Sequence, residues 1–160
     1  MYKKKDLLIL ASLRNDARVS LTDISKQTKI PVATIYERIK MFKSRIIKSY
    51  TTLIDFSVFG FNARANIAIK ALPQKREELR EFLFLHQNVN TLYKINNGYD
   101  YLIDCIFRNV KDLEEFLEVL DNKYKVKTRN VFYLIDDIKR ETFMSDSQLL
   151  ETVMPLDHFY

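Results

Sequence analysis

The 160-residue sequence predicts an α+β protein in two parts: a helical front carrying a helix-turn-helix, and a rear ordered βαββαβ. Three observations lead there. Residues 20–50 read as two short helices around a tight turn, with a strand after them. The rear half switches repeatedly between strand-like and helix-like apolar spacing. Charge is divided unevenly: residues 1–50 hold 12 Lys+Arg and 4 Asp+Glu, a net of +8, whereas 51–160 hold 14 and 17, a net of −3. A basic helix-turn-helix joined to a mildly acidic rear is the footprint of a nucleic-acid reader attached to something else.

The front elements follow from local chemistry. Leu7, Leu10 and Leu13 share one face of a first helix over 4–14, which 15–18 breaks. Ser20, three residues before Asp23, is the expected N-cap of a second helix carrying Leu21, Ile24 and Ser25. Lys29-Ile30 makes the turn, and Pro31 suits the first turn of a third helix, where its missing N–H costs nothing. That helix turns Ile35, Ile39 and Phe42 inward. Its other side presents Ala33, Thr34, Glu37, Lys40 and Met41, flanked by Tyr36 and Arg38. Small and hydrogen-bonding residues near the start, with cations further along, are what a helix entering the major groove needs. From 46 to 56 the residues are rich in β-branched types and predict a wing or connecting strand.

The rear begins after the boundary at 57–62. Strands are expected at 65–70, 89–96, 101–107 and 126–135, and helices at 75–86 and 110–122. Leu79, Phe82 and Leu83 point inward from the first of these helices; Leu113, Phe116, Leu117 and Leu120 do so from the second. Thr91, Tyr93 and Ile95 share one face of the second strand, and Gly98 marks a turn. Tyr101, Ile103, Cys105 and Phe107 share one face of the third strand, with Asp104 on the other. The order is that of a ferredoxin-like split βαβ unit: one antiparallel sheet with both helices on one face. Several strands look apolar on both sides, so an aromatic and aliphatic outer face is expected, covered by a second copy of the chain. In the tail, Ser145 and Gln148 have capping-box spacing ahead of Leu149, Leu150 and Val153, with Pro155 beyond. The domains expected are a winged helix-turn-helix at 1–50, a linker strand at 51–60, a ligand-sensing and oligomerisation domain at 61–140 and a tail at 141–160.

Composition narrows the chemistry. With 2 Gly there is no Gly-rich phosphate loop. The single cysteine, Cys105, reads as a small core residue and suggests a reducing compartment. No apolar run has the length of a membrane span, so a cytoplasmic protein is expected. His86, at a helix end, and His158, in the tail, have no Cys, Ser or acid at a catalytic spacing. No enzyme activity, cofactor or metal is expected.

Two residue sets carry the binding chemistry. On the third helix, Thr34 and Lys40 are the expected base or phosphate contacts of double-stranded DNA, with Ala33 and Tyr36 beside them. Arg38, Lys43, Arg45 and Lys3, Lys4 and Lys5 are expected to clamp phosphates, and Glu37 to orient a neighbouring arginine or accept from a cytosine amino group. In the rear, Asn97, Gly98, Tyr99 and Asp100 combine with Thr128, Arg129 and Asn130 as candidates for a small-molecule effector. There Asp100 would hold an ammonium and Arg129 a carboxylate, as an amino acid requires.

Several of these stretches resemble one family. Asp16-Ala17-Arg18 with Ser20-Leu21, then Tyr36-Glu37-Arg38-Ile39, Ile47-Lys48-Ser49-Tyr50-Thr51 and Tyr99-Asp100-Tyr101 resemble, in order and spacing, the Lrp/AsnC "feast/famine" transcription regulators over residues 5–140. The resemblance implies a RAM/ACT-like rear domain, dimers that assemble into octamers or higher, and an amino acid or related metabolite bound between subunits. Two departures stand out. The run Lys43-Ser44-Arg45-Ile46 lacks the usual Gly and is one residue shorter, implying a tighter wing. Asn97-Gly98 stands where Gly-Asp is common, which removes an acid from the effector loop. Two rival readings share the layout. One is a siroheme decarboxylase-like enzyme subunit, which needs a haem-type pocket with histidines. The other is an architectural protein that binds duplexes with little sequence preference.

Overall fold

A computed structural model of the chain describes residues 2–153, so Pro155 and His158 lie outside it. Packing divides the chain into two units: one runs to Leu53 and is rejoined from Ile138, and the other is Ile54–Asp137.

The first unit is built on α1 (Lys4–Asn15), α2 (Leu21–Thr28) and α3 (Val32–Arg45). The Ser20 hydroxyl caps α2, accepting the Asp23 N–H at 3.0 Å and donating to the Asp23 carboxylate at 2.6 Å. Lys29 ends α2 in the left-handed region, φ 59°, and gives its N–H to the Ser25 carbonyl. Pro31 sits one place earlier than expected, as the N-cap of α3; its carbonyl accepts the Ile35 N–H at 3.1 Å. Ile9, Ile24, Ile30, Ile35 and Phe42 form the centre of this unit, with Leu10, Leu13 and Ile39 packed around them.

α1 is buried on a second side as well. Leu7 joins Ala11 and Leu150 in a separate cluster rather than sharing a face with Leu10 and Leu13. Leu150 arrives with a short helix, α6 (Leu150–Val153). The Arg14 guanidinium holds the approach to it, donating to the carbonyls of Phe143 at 3.1 Å and Glu141 at 3.0 Å. The expected capping box does not form. Ser145 instead donates back to the Thr142 carbonyl at 2.9 Å, and the Gln148 N–H goes to the Asp146 carboxylate at 2.8 Å.

The strand expected over 46–56 is absent. Ile46 and Ile47 pack on the α-helical core, and 47–55 has no ladder partner among the described residues. β-Branched residues favour a pleated surface but cannot supply the second strand that a ladder requires. The wing therefore does not take β form here.

The second unit holds β1 (Ala63–Lys70), α4 (Arg76–Leu85), β2 (Val89–Lys94), β3 (Tyr101–Phe107), α5 (Val110–Tyr124) and β4 (Thr128–Tyr133). The sheet runs β2-β3-β1-β4 and every neighbour is antiparallel. Ile67, Ile69, Ile103 and Cys105 face Leu79 and Leu83 of α4 and Leu113, Leu117 and Leu120 of α5. A bulge between Val89 and Thr91 lets Val89 and Leu92 both reach this core despite their spacing. Asn97, φ 57°, and Gly98, φ 86°, close the β2–β3 hairpin; two left-handed central residues make it the turn that Asn-Gly favours.

The outer sheet face is mixed: Leu102, Ile106, Tyr93 and Phe132 supply the aliphatic and aromatic groups expected, while β1 departs from the expectation. The outward residues of β1 are Arg64, Asn66, Ala68 and Lys70, because its isoleucines all face the helices. The Arg64 guanidinium forks onto Asp104 at 3.0 and 3.2 Å and reaches Asp137 at 2.9 Å, while Asn90 donates to Asp104 at 2.7 Å. Exposed apolar groups on this face are Tyr93 and Phe132.

Burial of Leu150 against α1 predicts that Leu150→Ala costs about 2 kcal/mol of first-unit stability. Hydrogen exchange should show α1 opening more readily while β1 and β3 keep their protection. Unchanged exchange in α1 would show that the C-terminal helix contributes nothing to the unit.

Candidate nucleic-acid interface

α3 has 14 residues and rises about 21 Å along its axis. Ile35 and Phe42 are fully buried, which commits one stripe to the core and turns the opposite stripe outward. Ala33, Thr34, Tyr36, Glu37, Lys40, Lys43 and Arg45 are all exposed on it. Tyr36 is 56 % exposed, a large aromatic left in water. Lys40, Lys43 and Arg45 form no ion pair among the described residues, so their charge is available to an anion; Lys43 Nζ lies 5.9 Å from the centre of the Tyr50 ring. Lys3 and Lys5 are also exposed.

Two expectations on this helix are corrected. Glu37 orients no arginine: it makes no ion pair among the described residues. Arg38 is turned toward α1, where its Nε lies 3.4 Å from Asp6. Its Nε faces a buried acid, while the side chain stays 38 % exposed, so its charge is shared with Asp6 rather than fully offered to a phosphate.

The rear candidates do not converge on one site. Asn97 and Gly98 are explained by the turn they form. The Asn130 amide donates to the Tyr99 hydroxyl at 2.7 Å, and Thr128 is exposed on the same outer face. Asp100 is already engaged: it accepts the Ala71 N–H at 3.0 Å and pairs with Arg76 at 3.0 Å and Lys70 at 3.6 Å. Arg129 pairs with Asp121 of α5, on the helix-covered side. The ammonium and carboxylate holders expected for an amino acid are thus both occupied by partners within the chain. Sequence reasoning missed Arg76, whose signal lay only in tertiary proximity. A cleft of about 330 Å³ opens beside this pair, between α4 and the β2–β3 edge, lined by Arg76, Arg80, Phe84, Leu92 and Lys94.

Burial pushes the Cys105 thiol up to about 12, so it is not a nucleophile at neutral pH. Among the described residues no cluster of three or more His, Cys, Asp or Glu could hold a metal ion, and no helix is long and apolar enough to cross a membrane. His86 ends α4, its ring edge-on to Phe82 at 5.1 Å and to Phe116 at 4.7 Å, and its Nδ1 accepts the Asn88 N–H at 3.2 Å.

An exposed basic helix after a capped helix and a tight turn defines the class of helix-turn-helix DNA-binding proteins. The comparisons agree: the profile of winged helix-turn-helix DNA-binding domains matches residues 3–45, and that of the Lrp/AsnC ligand binding domain matches 64–144. The HTH-type transcriptional regulator FL11 of Pyrococcus furiosus is 31 % identical over 116 residues, covering 72 % of this chain and 77 % of its own. FL11 of Pyrococcus horikoshii is 28 % identical over 138 residues, covering 86 % and 91 %. Among solved structures, the Neisseria meningitidis transcriptional regulator NMB0573 in complex with L-Met superposes with a TM-score of 0.81 at 19 % identity, covering 96 % of this chain and 100 % of that one. LrpC of B. subtilis superposes with 0.78 at 18 %, covering 87 % and 98 %. The chain belongs to the Lrp/AsnC family of transcription regulators.

Burial alone pulls the His86 pKa below its ordinary value. The unfolded chain then binds the extra proton more readily, so stability rises with pH and is lost as pH falls through about 6.5. Thermal melting should therefore fall between pH 7.5 and 5.5, and His86→Phe should flatten that fall. Equal slopes for the two proteins would show that His86 titrates normally in the folded state.

Proposed function

We propose that this regulator reads specific DNA sequences through the exposed face of α3, as a homodimer in the cytoplasm. The observation that carries the proposal is the pairing state of α3: Lys40, Lys43 and Arg45 are exposed and without ion pairs among the described residues, whereas Ile35 and Phe42 behind them are fully buried. Thr34, in the first turn of the helix, meets base edges with Ala33 and Tyr36 beside it; Lys43 and Arg45 bind phosphates. Glu37, exposed and unpaired, accepts from a base amino group. Two copies present their α3 helices to half-sites about 34 Å apart.

The Ile54–Asp137 unit senses a small metabolite and carries self-assembly, the exposed Tyr93 and Phe132 of its outer sheet face favouring a second copy or a larger ring such as an octamer. An amino acid is the favoured effector class, in line with the L-Met complex of the Neisseria regulator. Because Asp100 and Arg129 are already paired, Tyr99, Asn130 and Thr128 are the contacts left for it on the outer face.

A panel of duplexes selected by the wild-type protein tests the placement of α3. Thr34→Ala should reorder preference at one base position, at a cost of about 1–3 kcal/mol for the favoured base. Lys43→Ala should weaken every duplex by a similar factor. If the two substitutions act identically across the panel, α3 does not sit in the groove as proposed.

A further inference from the structure

Asp6 has the most deeply buried carboxylate among the described residues, its side chain 1 % exposed. It stands in the first turn of α1, where one oxygen accepts the Lys3 N–H at 2.8 Å. The other oxygen, Oδ1, has no hydrogen-bond partner. What faces it is Arg38 Nε of α3, at 3.4 Å. A buried carboxylate is costly without a compensating charge, and Arg38 supplies it. The apolar contacts behind α3, through Ile35, Ile39 and Phe42, choose which face of the helix turns outward but carry no directional polar contact. The ion pair is directional and crosses from α1 to α3.

Given the reading of α3 as the groove-entering helix, we infer that Arg38 is a positioning residue. Paired with Asp6, it trims the rotation of α3 within the outward face that the core selects, and so tunes how Thr34 and Lys40 meet the base edges. The pair is neutral as a unit, so Arg38 adds no counterion release of its own. This separates it from Lys43 and Arg45 on the same helix.

The test compares the full-length wild type with R38M, R38K, D6N, the D6N/R38M double variant and K43A. Each protein's affinity is measured for a duplex selected by the wild type and for an unrelated duplex, from 50 to 200 mM salt. Circular dichroism fixes an assay temperature at which every compared variant is folded. A loss of stability alone lowers both affinities together and leaves their ratio unchanged. Mispositioning lowers the ratio. R38M and D6N should each reduce the ratio of selected to unrelated binding by roughly 3- to 30-fold. R38K should recover part of the loss, and the double variant should be no worse than either single one. The salt slope of R38M should equal that of the wild type, whereas K43A should lose about 1 from its slope. D6N keeps the side-chain volume and carries the test if R38M does not fold. A wild-type ratio in D6N, or a slope in R38M reduced like that of K43A, would overturn the inference and return Arg38 to the phosphate clamps. A wild type with no salt-dependent duplex binding would overturn the groove reading itself, and this inference with it.

Discussion

The front of the molecule depends on one seam of packing: Ile24 of α2 against Ile35 and Phe42 of α3, all fully buried. Each such side chain contributes about 1.5–3 kcal/mol when taken out of water. A helix that commits one stripe to a core must turn the opposite stripe to solvent. Given the spacing of Ile35, Ile39 and Phe42, the residues turned out are Ala33, Glu37, Lys40 and their neighbours. The seam therefore selects the surface that can meet DNA. The Ser20 cap and the left-handed Lys29 hold α2 at the start of that seam and close the turn into α3.

Charge is used differently in the two units. In the Ile54–Asp137 unit, acids and bases are matched within the fold: Arg64 with Asp104, Arg76 and Lys70 with Asp100, Arg129 with Asp121. These pairs tie strand to strand and sheet to helix. In the first unit, α3 carries Arg38, Lys40, Lys43 and Arg45 against a single acid, Glu37. Unmatched cations on an exposed face attract a polyanion, and each phosphate they meet releases bound counterions. The division seen in the sequence is therefore a division of labour between internal pairing and external attraction.

The parts legible in the sequence are those governed by local rules. Periodic burial placed all three front helices, α4 and α5, and alternation placed β3, with Tyr101, Ile103, Cys105 and Phe107 inward. What was not legible depended on partners distant in sequence. The β-branched stretch over 46–56 had strand propensity but no strand to pair with. Asp100 had the chemistry of a ligand-binding acid, and only the fold shows Arg76 and the Ala71 N–H already beside it. Arg38 looked like any surface cation of a DNA-binding helix until α1 placed Asp6 behind it. The outer sheet face is apolar only in part for a local reason: alternation in β1 puts its isoleucines on one side, leaving Arg64, Asn66 and Lys70 beside Leu102 and Ile106 on the other.

The central claim is that DNA meets the exposed stripe of α3 and leaves the four-stranded sheet alone. Hydrogen exchange of the full-length protein, with and without a saturating duplex at low salt, reads this directly. Peptides covering 32–45 should gain protection on binding, while those covering 63–70 and 101–107 should stay as they were. Protection gained over the sheet with none over 32–45 would contradict the account.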